Sequence, residues 1–129
     1  MASPIVHFEI MAPKSGDKKA LQDFYAKTFG WKINADNPFS YGMAYPDGNE
    51  TQGPPASGIN GAVDAAQDEN AGVIIYLGVD DLDASLAQIN AAGGSTVMPP
   101  TEVPGMVWFA LFKDPAGNTM GLVKNQPPA

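Results

Sequence analysis

The chain has 129 residues, a length that suits one domain with a core large enough to stand without covalent staples. Fourteen acidic residues against seven basic ones leave a net charge of −7, which argues against a nucleic-acid partner, because phosphate binding needs a basic patch. Cysteine is absent, so disulfides and thiolate chemistry are excluded and a reducing compartment is permitted.

No apolar run approaches the ~20 residues of a membrane span. The start Met1-Ala2-Ser3-Pro4 lacks the basic region and apolar stretch of a signal peptide, so a cytoplasmic protein without a membrane partner is expected.

Ile5 to Ile10 reads as the first strand. Its period of two sorts Val6, Phe8 and Ile10 to a helix-covered face, and His7 and Glu9 to the other, ~7 Å apart. Asp17 caps a helix carrying Leu21, Phe24, Tyr25, Thr28 and Phe29 at helical spacing, and Gly30 stops it. Trp31 to Ile33 and Tyr41 to Tyr45 follow as strands. The glycines and prolines of 46–58 make a mobile loop. Ile59 to Val63 closes this half, and 64–71 is the linker.

The same order then returns. Val73 to Val79 is a strand with Val73, Ile75, Leu77 and Val79 on one face. Asp80-Asp81 caps a helix bearing Leu82, Leu86 and Ile89, which ends at Gly93-Gly94. Ser95 to Met98 is a short strand stopped by Pro99-Pro100. Val107 to Lys113 and Thr119 to Lys124 form a hairpin around Asp114-Pro115-Ala116-Gly117-Asn118. The tail from Asn125 is expected to fray.

Pro46, Gly48 and Asn49 each precede Pro115, Gly117 and Asn118 by 69 residues, and His7 and Ile10 precede Tyr76 and Val79 by the same number. The chain thus reads as an internal duplication within a single α+β domain, 1–129. It has two β-α-β-β-β modules, 4–64 and 72–124, forming a curved mixed sheet. Strand faces turned away from the helices would line a concave cup. His7, Glu9, Tyr76, Gly78 and Gly121 fall there, with either Trp108 or Phe109.

Each residue has a plain reading and a functional one. His7, the sole histidine, is either half-buried and hydrogen-bonded to Glu9, Tyr76 or water, or a ligand-contacting group whose ordinary pKa suits proton transfer near pH 7. Glu9 is a strand-surface carboxylate, or a general base if desolvation raises its pKa. Trp31, Trp108 and Phe109 suit a core; one of the last two must face the cup, where it would suit a planar ligand. Met43, Met98, Met106 and Met120 fill gaps in the core or rim. Gly78 and Gly121 are strand glycines at a bend, or space made for a ligand.

His7 in the first strand, Phe24-Tyr25 to Phe29-Gly30-Trp31, Val79-Asp80-Asp81, and Asp114 to Asn118 together resemble the vicinal-oxygen-chelate superfamily. That group includes glyoxalase I, extradiol dioxygenases and bleomycin-resistance proteins. The resemblance implies metal ligands on the first and last strands of each half. These positions map onto His7, onto Asn60 or Gly61, onto Tyr76 where glyoxalase-like members have His, and onto Gly121 where they have Glu. A divalent metal needs about three protein ligands, so no metal and no other cofactor is expected.

The expected function is binding of a small apolar or aromatic molecule by His7, Glu9, Asn60, Tyr76, Trp108, Phe109 and Gly121. The alternative is a lyase- or dioxygenase-like enzyme using His7 and Glu9 as catalytic groups, with or without a metal. An interaction module with a vestigial cup is a third reading. The resemblance also implies a homodimer.

Overall fold

A computed structural model describes residues 2–51 and 53–125. The elements are β1 (Ile5–Ala12), α1 (Lys18–Phe29), β2 (Lys32–Asn34), β3 (Met43–Tyr45), β4 (Gly61–Ala65), β5 (Gly72–Val79), α2 (Leu82–Ala91), β6 (Ser95–Val103), β7 (Val107–Lys113) and β8 (Thr119–Lys124). The order β-α-β-β-β occurs twice, and the fold is α+β with parallel and antiparallel strand pairs. Two compact units result. One spans His7–Val73; the other joins the residues up to Val6 with those from Ile74 onward.

In the His7–Val73 unit the strands lie in the order β2-β3-β4-β1. β1 and β4 run parallel, with Glu9 beside Ala62 and Ile10 beside Val63, while Met43 faces Ala62 across the antiparallel β3–β4 pair. α1 begins where the Asp17 carboxylate accepts from the Ala20 N–H at 3.0 Å, and ends at Gly30, whose φ of 72° only glycine adopts cheaply. Phe8 meets Trp31 edge-on at 5.5 Å, and Trp31 stacks on Tyr25 of α1 at 4.9 Å, so Phe8 turns to the helix side. By alternation His7 and Glu9 turn away from it. One polar group enters this packing: buried Gln22 donates from Nε2 to the Val63 carbonyl at 2.8 Å. Gly42 makes room for it, since a Cβ there would stand 2.3 Å from that Nε2.

In the other unit the order is β5-β8-β7-β6. Leu82 and Leu86 of α2 pack on Val79, Ala110, Phe112 and Leu122, with Leu77, Ile89 and Met120 alongside. The Asp81 carboxylate caps α2 by accepting from the Ala84 N–H at 3.0 Å, while Asp80 instead accepts from Asn125 Nδ2 at 2.9 Å. Gly93 at φ 99° lets the Gly94 N–H return to the Ile89 carbonyl at 2.9 Å. In the β7–β8 turn, Asp114 Oδ1 accepts from the N–H groups of Ala116 and Asn118, both at 2.9 Å. Asn118 Nδ2 donates to Asp114 Oδ2, and these bonds hold the Asp114 carboxyl below its ordinary pKa.

Four expectations need correction. β6 is not stopped by Pro99-Pro100. It runs on to Val103 at the rim of its sheet, with register shifts between Thr96 and Met98 and between Met98 and Thr101. An edge strand tolerates missing N–H donors where an interior one does not. β3 starts at Met43 rather than Tyr41, because the Tyr41 N–H donates to Asn37 Oδ1 at 3.0 Å. β4 covers Gly61–Ala65, two residues later than expected, since its partner β1 extends to Ala12. Asn125 does not fray: its N–H donates to the Val79 carbonyl at 2.7 Å. The rest of the tail, 126–129, lies outside the described residues.

Candidate functional site

His7 and Glu9 are joined through a residue that sequence reasoning did not select. The Tyr41 hydroxyl donates to Glu9 Oε2 at 2.7 Å, and the same oxygen lies 2.9 Å from His7 Nε2. A phenol has one proton, and it is spent on Glu9, so His7 must donate from Nε2. In that arrangement His7 carries a proton on Nε2. Burial lowers the His7 pKa below its ordinary value; the nearby Glu9 charge pushes it back up, and burial is the larger effect.

The strand face that carries this chain is mixed, since Asn34 pairs with Met43 and Asp64 with Met11 on the same side. Glu9, Ala62 and Met43 share one row across β1, β4 and β3. Carrying the β1–β4 register two residues back sets Asn60, not Gly61, beside His7. Asn60 Oδ1 is buried with no hydrogen-bond partner. An acceptor in that state costs about 1–3 kcal/mol until something donates to it.

Tyr76, Gly78, Gly121 and Phe109 belong to the other unit. Tyr76 pairs with Gly121 and Phe109 with Val123. Leu77, Ala110, Phe112 and Leu122 pack with α2, so alternation turns Tyr76, Gly121 and Phe109 to the face away from that helix. Trp108 lies on the helix-bearing side, opposite Glu102, and is 44% exposed. The space above Gly121 is taken by the chain itself: a Cβ there would stand 2.3 Å from two Tyr76 ring carbons.

That contact tests the metal positions implied by the resemblance. Where glyoxalase-like members carry Glu, Gly121 offers no ligand and the Tyr76 ring fills the volume that a side chain would need. Among the described residues no three of His, Cys, Asp and Glu converge on one point.

Tyr41 was legible in principle, since Tyr41, Met43 and Tyr45 alternate as one strand face would. Its link to Glu9, 32 residues away, carries no sequence signal.

A twice-repeated β-α-β-β-β unit with its polar side chains on the face away from the helix is the pattern of the vicinal-oxygen-chelate superfamily. Within it, this chain belongs to the glyoxalase-like domain family, whose model matches residues 11–123. A protein of Vibrio cholerae named "Probable lactoylglutathione lyase" is 32% identical over 117 residues, covering 86% of this chain and 85% of that protein. "Putative glyoxylase CFP32" of Mycobacterium bovis is 38% identical over 53 residues, covering 41% of this chain; the match spans only 20% of that longer protein. Among solved structures, methylmalonyl-CoA epimerase from Mycobacterium tuberculosis superposes with a TM-score of 0.65 at 16% identity, covering 95% of this chain and 88% of the other. That likeness is one of fold. No helix among the described residues is long and apolar enough to cross a membrane.

Proposed function

We propose that this protein binds a small apolar or aromatic molecule bearing one hydrogen-bond donor, without a metal, at His7, Tyr41, Glu9 and Asn60. The observation that carries the reading is the buried Asn60 Oδ1, an acceptor left unpaired near the hydrogen-bonded chain of His7, Tyr41 and Glu9. A ligand O–H or N–H would satisfy that oxygen, and Met43 and Ala62 would take apolar surface. The reading includes a homodimer in the cytoplasm, which sedimentation and fractionation test.

The experiment is a thermal-shift screen of phenols and anilines against their methylated counterparts, followed by calorimetry on wild type, Asn60→Ala and Tyr41→Phe. Donor-bearing compounds should stabilise the wild type, and Asn60→Ala should weaken them by about 1–3 kcal/mol. Equal stabilisation of all three proteins, or about one tightly held metal per chain by elemental analysis, would overturn the reading.

A second reading, an enzyme of the lyase or epimerase kind, is favoured by the link from His7 through Tyr41 to Glu9. Such a chain can accept a proton and spread the resulting charge. Catalysed deuterium exchange next to the carbonyl of a small thioester or ketone, lost in His7→Gln, would promote it over simple binding.

A further inference from the structure

We propose that Asn37 and Lys18 are positioning residues for Tyr41: they lock its backbone so that its hydroxyl spans His7 and Glu9. This rests on the reading of the His7–Tyr41–Glu9 chain as the site. Asn37 grips Tyr41 from both sides. Its Oδ1 accepts from the Tyr41 N–H at 3.0 Å and from the Phe39 N–H at 3.2 Å, and its Nδ2 donates to the Tyr41 carbonyl at 2.7 Å. The Asn37 carbonyl accepts from the Ser40 N–H at 3.0 Å, closing the turn.

Ser40, just before Tyr41, has φ 50°, and it is the one non-glycine residue at positive φ among the described residues. A side-chain-bearing residue persists there only when its surroundings over-determine it. Lys18 supplies that restraint. Its Nζ donates to the Ser40 carbonyl at 3.0 Å and pairs with Asp64 Oδ1 at 2.9 Å, tying the turn to α1 and β4.

The restraint matters because Tyr41 lies outside the β3 ladder and satisfies two partners at once. A phenol displaced by about 1 Å loses hydrogen-bond geometry to both. Two local restraints on consecutive residues, Ser40 and Tyr41, hold it. The turn thus trades strain at Ser40 for a fixed hydroxyl.

The test uses His7, whose ring proton signal is unique because it is the sole histidine. Its titration is followed by NMR in wild type, Asn37→Ala, Asn37→Asp, Lys18→Met, Tyr41→Phe, and each turn variant combined with Tyr41→Phe. Tyr41→Phe should displace the His7 midpoint by a few tenths of a pH unit or more, since it removes a direct hydrogen bond. Asn37→Ala should displace it in the same direction by at least half as much, and should add nothing in the Tyr41→Phe background. Asn37→Asp keeps the acceptor for the Tyr41 N–H and should lie nearer wild type.

A folded Asn37→Ala protein with the wild-type midpoint, or one whose displacement persists in full beside Tyr41→Phe, overturns the proposal. If Asn37→Ala does not fold, Lys18→Met is judged by the same two outcomes. No ligand enters the measurement, so its failure is distinct from a failure of the binding reading.

Discussion

Replacing Gly121 by alanine should destabilise the protein through one identifiable collision. The new Cβ would stand 2.3 Å from two ring carbons of Tyr76 and 2.7 Å from a third. Ordinary contact begins near 3.4 Å, so the ring must retreat by about 1 Å. Tyr76 is only 6% exposed, and the retreat has to come from its packed neighbours. Overpacking of this kind costs about 1–3 kcal/mol. For a chain of this size that corresponds to a fall in Tm of roughly 3–15 °C. Urea titration followed by circular dichroism measures it. The control is a cycle with Tyr76→Ala, which alone should cost about 3–5 kcal/mol as a buried aromatic is truncated. Because the truncation removes the ring that clashes, the double variant should be more stable than additivity predicts by about 1–3 kcal/mol. A Gly121→Ala protein within about 0.5 kcal/mol of wild type, or a strictly additive double, refutes the reasoning and reopens the space above Gly121 to a ligand.

Stability should also depend on His7. Its pKa is lowered on folding, so between the folded and unfolded values the unfolded chain binds more protons. The contribution is full above pH ~6.5 and is lost as pH falls through the lower folded pKa; His7→Gln should flatten that slope in urea midpoints taken across this range. Lys18→Met removes the cation that pairs with Asp64, whose side chain is 14% exposed, and should cost about 1–3 kcal/mol in the same assay. High salt that erased the difference between Lys18→Met and wild type would show the pair to be an ordinary surface one.

The sequence carried the helix ends well, because capping is local: Asp17 and Asp81 each bond an N–H three residues on, as their types suggest. It also sorted His7 and Glu9 from Phe8 and Ile10, since period two is a property of the strand itself. It left Asn60 and Gly61 undecided, because only the partner strand sets that register. Tyr41 escaped for a different reason. Its role depends on a turn built by Asn37 and Lys18 and on partners more than 30 residues away, and no short-range pattern marks such a closure. The choice between Trp108 and Phe109 was open until the packing of Ala110 and Phe112 with α2 showed which parity faces the helix. Gly121 gave no hint that its missing side chain serves a ring 45 positions earlier.

Pro99 and Pro100 have one more consequence, for life at high protein concentration. Successive N–H groups of a strand point to opposite sides, so two successive prolines delete one donor toward β7 and one toward the rim. The inward loss coincides with the register shift between Met98 and Thr101. The outward loss leaves the middle of β6 unable to complete a hydrogen-bond ladder with a strand arriving from another molecule. The two residues thus act as a stopper on sheet growth, and a Pro99→Thr, Pro100→Val protein should retain its fold while clouding at lower concentration than its parent.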